Sequence, residues 1–216
     1  MTSPGQPQHY PQILKPEQSY TFADYFKLRF APADILAEFG CTLVRQRLNL
    51  AQYSGELASL NDLRQRIEDT LPHISLTSET ARREILISPI ILELIRITGA
   101  NLNIEYPIEV NDQLKGELDY YIYKQNRILI IEAKQADLTR GFTQLAVELI
   151  ALSQWLGLNP NSTTPLIGAV STGDIWQFGN YVLPANQITQ DLLLYRVPDD
   201  LDSLMRVIIN IMLCTP

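Results

Sequence analysis

The sequence predicts an α/β protein, a mixed sheet of about four or five strands with helices on both sides, preceded by a mainly helical N-terminal extension. Three observations carry this reading. Leu102–Val110, Lys115–Tyr123 and Arg127–Lys134 read as consecutive strands, joined by Asn111-Asp112-Gln113 and Lys124-Gln125-Asn126, both suited to tight hairpins. Ile128-Leu129-Ile130-Ile131 is an unbroken apolar run, as expected of a central strand covered on both faces. Apolar residues recur at helical spacing on either side of this meander.

Residues 1–18 are rich in Pro and Gln and read as a disordered arm; residues 19–77 form the extension and 78–216 the main domain. Within the extension, Ala33–Phe39 reads as a short helix stopped at Gly40, residues 41–50 as a weak strand, and Leu57–Leu71 as a helix ended by Pro72. Thr77 or Ser78 caps the next helix, with Glu79 in its first turn, where the helix dipole favours an acid. Its inward stripe is Ile87, Ile90, Ile91, Leu94 and Ile95; Pro89 is expected to kink it and Gly99 to end it. After the meander, a helix from Thr139 to Leu156 presents Phe142, Leu145, Ala146, Leu149, Leu152 and Leu156, which leaves Gln144 on the opposite flank. Strands at Pro165–Ser171, through Trp176 and Phe178, and at Leu192–Tyr195 precede a last helix from Asp199 to Leu213.

Composition excludes several functions. No apolar run is long enough to span a bilayer and the N-terminus has no signal-peptide pattern, so a cytoplasmic protein is expected. Cys41 and Cys214 match no metal-ligand spacing and read as reduced thiols. His9 and His73 are the only histidines, which leaves little for a histidine-based triad or zinc site. The net charge of −7 argues against an unaided grip on a long duplex. It is compatible with a metal-centred site, which gathers acids and regains positive charge from its cation.

The chemistry-bearing residues lie in the meander. Side chains alternate along a strand, so Glu132 and Lys134 share one face and Ala133 takes the other; Glu117 and Asp119 share a face of the preceding strand. Charges beside so apolar a strand are costly unless paired or metal-bound. Asp119, Glu132 and the carbonyl of Ala133 offer hard oxygen ligands of the kind that hold Mg²⁺, with Mn²⁺ as a substitute. Lys134 can orient or deprotonate an attacking water, or stabilise charge developing on a phosphate.

The pattern GELDYYIY followed by ILIIEAK resembles the PD-(D/E)XK nuclease superfamily, with Asp119 as its aspartate and Glu132-Ala133-Lys134 as its E-x-K. SETARREILISPIILELI is similar to the first helix of the nuclease domain in type I restriction-enzyme motor subunits, matching at Glu79, Arg83, Ile87 and Pro89. Gln144 resembles the glutamine on the helix after E-x-K, and GAVSTGDIWQFG the T-x-G-x-x-W hairpin of those domains. The likeness covers roughly residues 78–182. It implies a restriction-endonuclease-like fold and a Mg²⁺-dependent endonuclease acting on DNA. Asp119, Glu132, Lys134, Glu79 and Gln144 would be its catalytic residues, and Asp119, Glu132, Ala133 and Glu79 would hold the metal. Glu84 competes with Glu79 for the helix-borne acid, and Glu148 stands where some members carry a tyrosine. The same fold also serves as inactive modules that bind a protein or nucleic acid.

Other residues leave alternatives open. Arg82 and Arg83 either pair with nearby acids or touch a phosphate; Trp176 and Phe178 are core or a stacking platform. Tyr20, Phe22, Tyr25, Phe26 and Phe30 either pack the extension or bind a partner. The apolar residues of the last helix suggest a homodimer; that dimer, or a basic protein partner, would complete a DNA channel on so acidic a chain.

Overall fold

The computed structural model describes residues 12–213. His9, Cys214 and residues 1–11 of the arm expected over residues 1–18 lie outside the described residues; within its described part, Ile13 and Leu14 pack against the body while the other residues are exposed. The chain opens with two short helices, α1 (Phe22–Lys27) and α2 (Pro32–Ala37), and a strand, β1 (Thr42–Gln46). Helix α3 (Leu60–Thr70) follows and closes in a tight turn at Leu71–His73.

The helix expected after Ser78 comes as α4 (Glu79–Arg82), a π-helical turn over Arg83–Ile87, and α5 (Ser88–Thr98). Ser78 caps it by accepting the N–H of Ala81, and Gly99 ends it at a φ of +66° that suits glycine. The widened turn falls just ahead of Pro89, which has no N–H to return to the preceding turn.

The meander folds as β2 (Asn101–Asn111), β3 (Leu114–Lys124) and β4 (Arg127–Ala133), followed by α6 (Leu138–Trp155). Then come β5 (Leu166–Ser171), β6 (Ile175–Val182), β7 (Gln187–Arg196) and α7 (Leu201–Leu213). All seven strands join one sheet in the order β1-β7-β6-β5-β4-β3-β2. The expectation of four or five was low because β1 pairs in parallel with β7, far away in sequence, and β7 runs well beyond its apolar end. The extension therefore adds an edge strand as well as helices. Strands β4 and β5 are parallel neighbours joined through α6, the crossover that parallel pairing requires.

Helices cover both faces of the sheet. On one, α3, α5 and α7 bury Ile90, Leu94, Leu204 and Ile208 against Leu129, Ile131, Trp176 and Phe178. Trp176 and Phe178 are thus core. The apolar side of α7 that suggested a dimer is buried within this chain. On the other face, α6 lies against Ile130 and Val170, and α1 and α2 pack over α6. Tyr20, Phe22 and Tyr25 are buried in that packing. The consequence for α6 is large: every residue from Gly141 to Ser153 is buried.

Candidate functional site

Alternation along β4 sends Leu129 and Ile131 to the α5–α7 side and Ile130 to the α6 side. Glu132 follows Ile130 and meets α6. Pairing of β3 with β4 stops at Tyr120–Ile131. Just beyond, the Ala133 N–H donates to Asp119 Oδ2 at 2.7 Å, so a carboxylate takes the place of a strand carbonyl. The backbone of β4 stays tied on its other side, where the Lys134 N–H donates to the Ser171 carbonyl at 2.8 Å. Where the two strands part, Asp119 lies against the backbone between Glu132 and Lys134.

Lys134 turns back and pairs with Glu132 Oε1. Its ammonium lies 5.2 Å from the centre of the Phe26 ring, carried there by α1. Gly141, in the first turn of α6, makes room for the lysine stem: a Cβ there would stand 2.9 Å from Lys134 Cγ. A residue of the extension and a missing side chain on α6 thus confine the lysine together.

Gln144 corrects an expectation. Placed by periodicity on the flank opposite the apolar stripe, it is only 4% exposed, because α1 and α2 cover that flank. Its Nε2 donates to Glu132 Oε1 at 2.6 Å and to Glu148 Oε1 at 2.9 Å. In the sequence Glu148 stands out only as the residue where some members of the resembled family carry a tyrosine, four residues, one helical turn, after Gln144. It is 1% exposed, as is Glu132.

Burial pushes the Glu132 carboxyl well above the usual carboxylate range; the charges of Glu148 and Asp119 add to this, and Lys134 only partly offsets them. Burial likewise pushes Glu148 up to about 7, against the hydrogen bonds from its neighbours. For Lys134, burial acts against the ammonium, but Glu132, Asp119 and Glu79 outweigh it and raise the pKa. The charge of Glu79 therefore reaches this pocket from the start of α4, whereas Glu84 is exposed on the π-helical turn. Glu117, on the same strand as Asp119, is also exposed.

Arg83 borders the pocket. It lies 3.8 Å from Asp119 Oδ1 and 3.3 Å from Glu105 Oε1, with its guanidinium 5.2 Å from the centre of the Tyr120 ring. Arg82 turns away and pairs with Asp174 at 2.8 Å. A cleft of about 290 Å³ opens beside the first turn of α6, lined among others by Leu28, Arg29, Phe30, Asp137 and Arg140.

The donor chemistry suits a hard cation. Glu132 Oε2 and Gln144 Oε1 are buried without a hydrogen-bond partner, and an oxygen left so needs a proton or a cation. Among the described residues no three His, Cys, Asp or Glu side chains form a ready ion cage. Asp119 and Glu132 amount to the one or two carboxylates that Mg²⁺ commonly takes beside water and phosphate oxygen.

No protein-family model matches this chain, and no curated protein matches it in sequence. What stands as class is an α/β protein with a seven-stranded mixed sheet between helices. No helix among the described residues is long and apolar enough to cross a membrane.

Proposed function

We propose that this chain is a metal-dependent, endonuclease-like phosphodiesterase acting on DNA, with Asp119, Glu132 and Lys134 at its centre. One observation carries the reading: at the parting of β3 and β4, an aspartate, a glutamate with an unpartnered buried oxygen, and a lysine share one pocket. The motif resemblance to the PD-(D/E)XK superfamily supports it. The carboxylates of Asp119 and Glu132, with the Ala133 carbonyl, would hold Mg²⁺ or Mn²⁺, and Glu79 lies near enough to contribute charge. When bound, such an ion supplies an activated water and charge neutralisation at the phosphate.

The protein groups divide the remaining work. Lys134, paired with Glu132, is placed to orient or deprotonate the attacking water or to stabilise negative charge on the phosphate. Arg83 stands at the rim as a second cation for phosphate oxygen. Arg29 lines the cleft at the first turn of α6, where Arg140 pairs with Asp137 at 3.3 Å; Arg29 suits a phosphate backbone and the exposed Phe30 a stacked base. These cations are local, which lets an acidic chain meet a polyanion. A second copy of the chain or a basic partner would extend the channel.

The test is a cleavage panel of single- and double-stranded DNA and RNA with Mg²⁺ or Mn²⁺, using Asp119→Ala and Lys134→Ala as controls. Cleavage in the parent chain and a loss of roughly 100-fold or more in both variants is expected. A folded parent that binds nucleic acid but cuts none of the panel would replace this reading with that of a silent binding module.

A further inference from the structure

We propose that Glu148 is a positioning residue of the cation site, holding Glu132 through Gln144 and adding the negative charge that makes the pocket select a divalent ion. This rests on the metal-dependent reading above and extends it to a residue that the motif does not include.

Three observations lead here. Glu132 and Glu148 are each 1% exposed and reach α6 and β4 across one shared donor, Gln144 Nε2, at 2.6 and 2.9 Å. Lys134 pairs with Glu132, and among the described residues Glu148 has no salt bridge, so the two acids face a single ammonium. Beside them, Glu132 Oε2 and Gln144 Oε1 are buried acceptors without donors. Two carboxylates, one lysine and two orphaned oxygens leave the pocket short of positive charge; a proton held between the acids answers this in the metal-free chain, and a dication would take its place.

The role is indirect. Gln144 fixes the rotamer of Glu132, and Glu148 fixes the amide of Gln144 by accepting its second N–H. That chain makes Glu132 a preformed ligand. Groups that orient a metal's ligands typically contribute 10- to 100-fold in affinity.

Glu148→Gln separates charge from shape, because the new amide oxygen can still accept from Gln144 while the negative charge is gone. The probe is Mn²⁺ alone, titrated into the full chain at pH 8 and followed by the electron paramagnetic resonance of the free ion, with thermal unfolding recorded in its absence. Mn²⁺ should bind about tenfold more weakly, while the metal-free protein melts at the same temperature or a few degrees higher. Unchanged affinity overturns the proposal, and so does weaker affinity accompanied by a lower melting temperature, which marks a merely structural side chain. Should Glu148→Gln fail to fold, Gln144→Met decides: it cuts the link to Glu132 and leaves the Glu148 charge, and the same tenfold loss is expected, with wild-type affinity overturning the role. Asp119→Ala is the control for the underlying reading. If the parent chain binds no Mn²⁺, or binds it equally after Asp119→Ala, the metal site itself falls and this inference falls with it; binding that depends on Asp119 but not on Glu148 or Gln144 defeats this inference alone.

Discussion

Two buried glutamates on opposite sides of the sheet have been treated in opposite ways. Glu93, on α5, is 7% exposed, and both its oxygens are taken by Arg96, at 2.7 and 2.9 Å, with Ser59 as a further donor. The Arg96 hydrogen bonds hold its carboxyl below the usual range. Glu132, on the α6 side, keeps one oxygen without a partner, has two other acids nearby, and has its pKa raised. A buried acid that serves only the fold is neutralised locally. On the metal-dependent reading proposed above, the one left unsatisfied waits for a cation; perturbed groups of this kind collect at functional sites.

The largest effect expected from this contrast is a separation of stability from activity. Glu132→Gln should abolish metal-dependent cleavage, by roughly 100-fold or more, without lowering the melting temperature of the metal-free protein. Ile208→Ala, in the apolar core under α7, should cost about 2–5 kcal/mol of stability and leave cleavage per folded molecule unchanged. Urea unfolding and a cleavage assay on the same samples read both; a Glu132→Gln variant that melts earlier would erase the distinction between the two glutamates.

The pH dependence should also differ in sign. Glu148 goes from 4.5 unfolded to about 7 folded, so between these values the folded chain keeps a proton that the unfolded chain has released. Its contribution is full below about 4.5 and lost as pH rises through about 7. Glu93 runs the other way: its contribution is present above 4.5 and lost as pH falls through its lowered folded value. Metal-free stability measured from pH 4 to 9 should therefore decline on the alkaline side. Glu148→Gln should flatten that decline, and an unchanged slope would remove Glu148 as its source.

The smallest expected effect concerns the extension. Phe26→Leu keeps apolar bulk over Lys134 but removes the ring face, an interaction of roughly 0.5–2 kcal/mol, so cleavage should drop by about 2- to 30-fold, with little change in stability. A loss as large as that of Lys134→Ala would mean that Phe26 touches the substrate itself.

Much of this was legible in the residues. The apolar run 128–131, the hairpin loops on either side of β3 and the alternation that puts Glu132 and Lys134 on one face depend on local rules of strand geometry. So did the cap at Ser78 and the stop at Gly99. Local periodicity failed at Gln144, because it assumes that a helix has one buried face, and α6 has the sheet on one side and α1 and α2 on the other.

The sequence by itself determined the meander, the order of helices and strands, and the shared face of Glu132 and Lys134, since each follows from spacings of a few residues. Only the tertiary structure decided that β1 pairs with β7, that Phe26 lies over Lys134, and that Gln144 and Glu148 sit buried against Glu132. The physical reason is one of range. Alternation and helical pitch act between neighbours along the chain, whereas burial and charge depend on which distant segments come to lie on top, and the covering helices α1 and α2 start more than 100 residues before α6 ends.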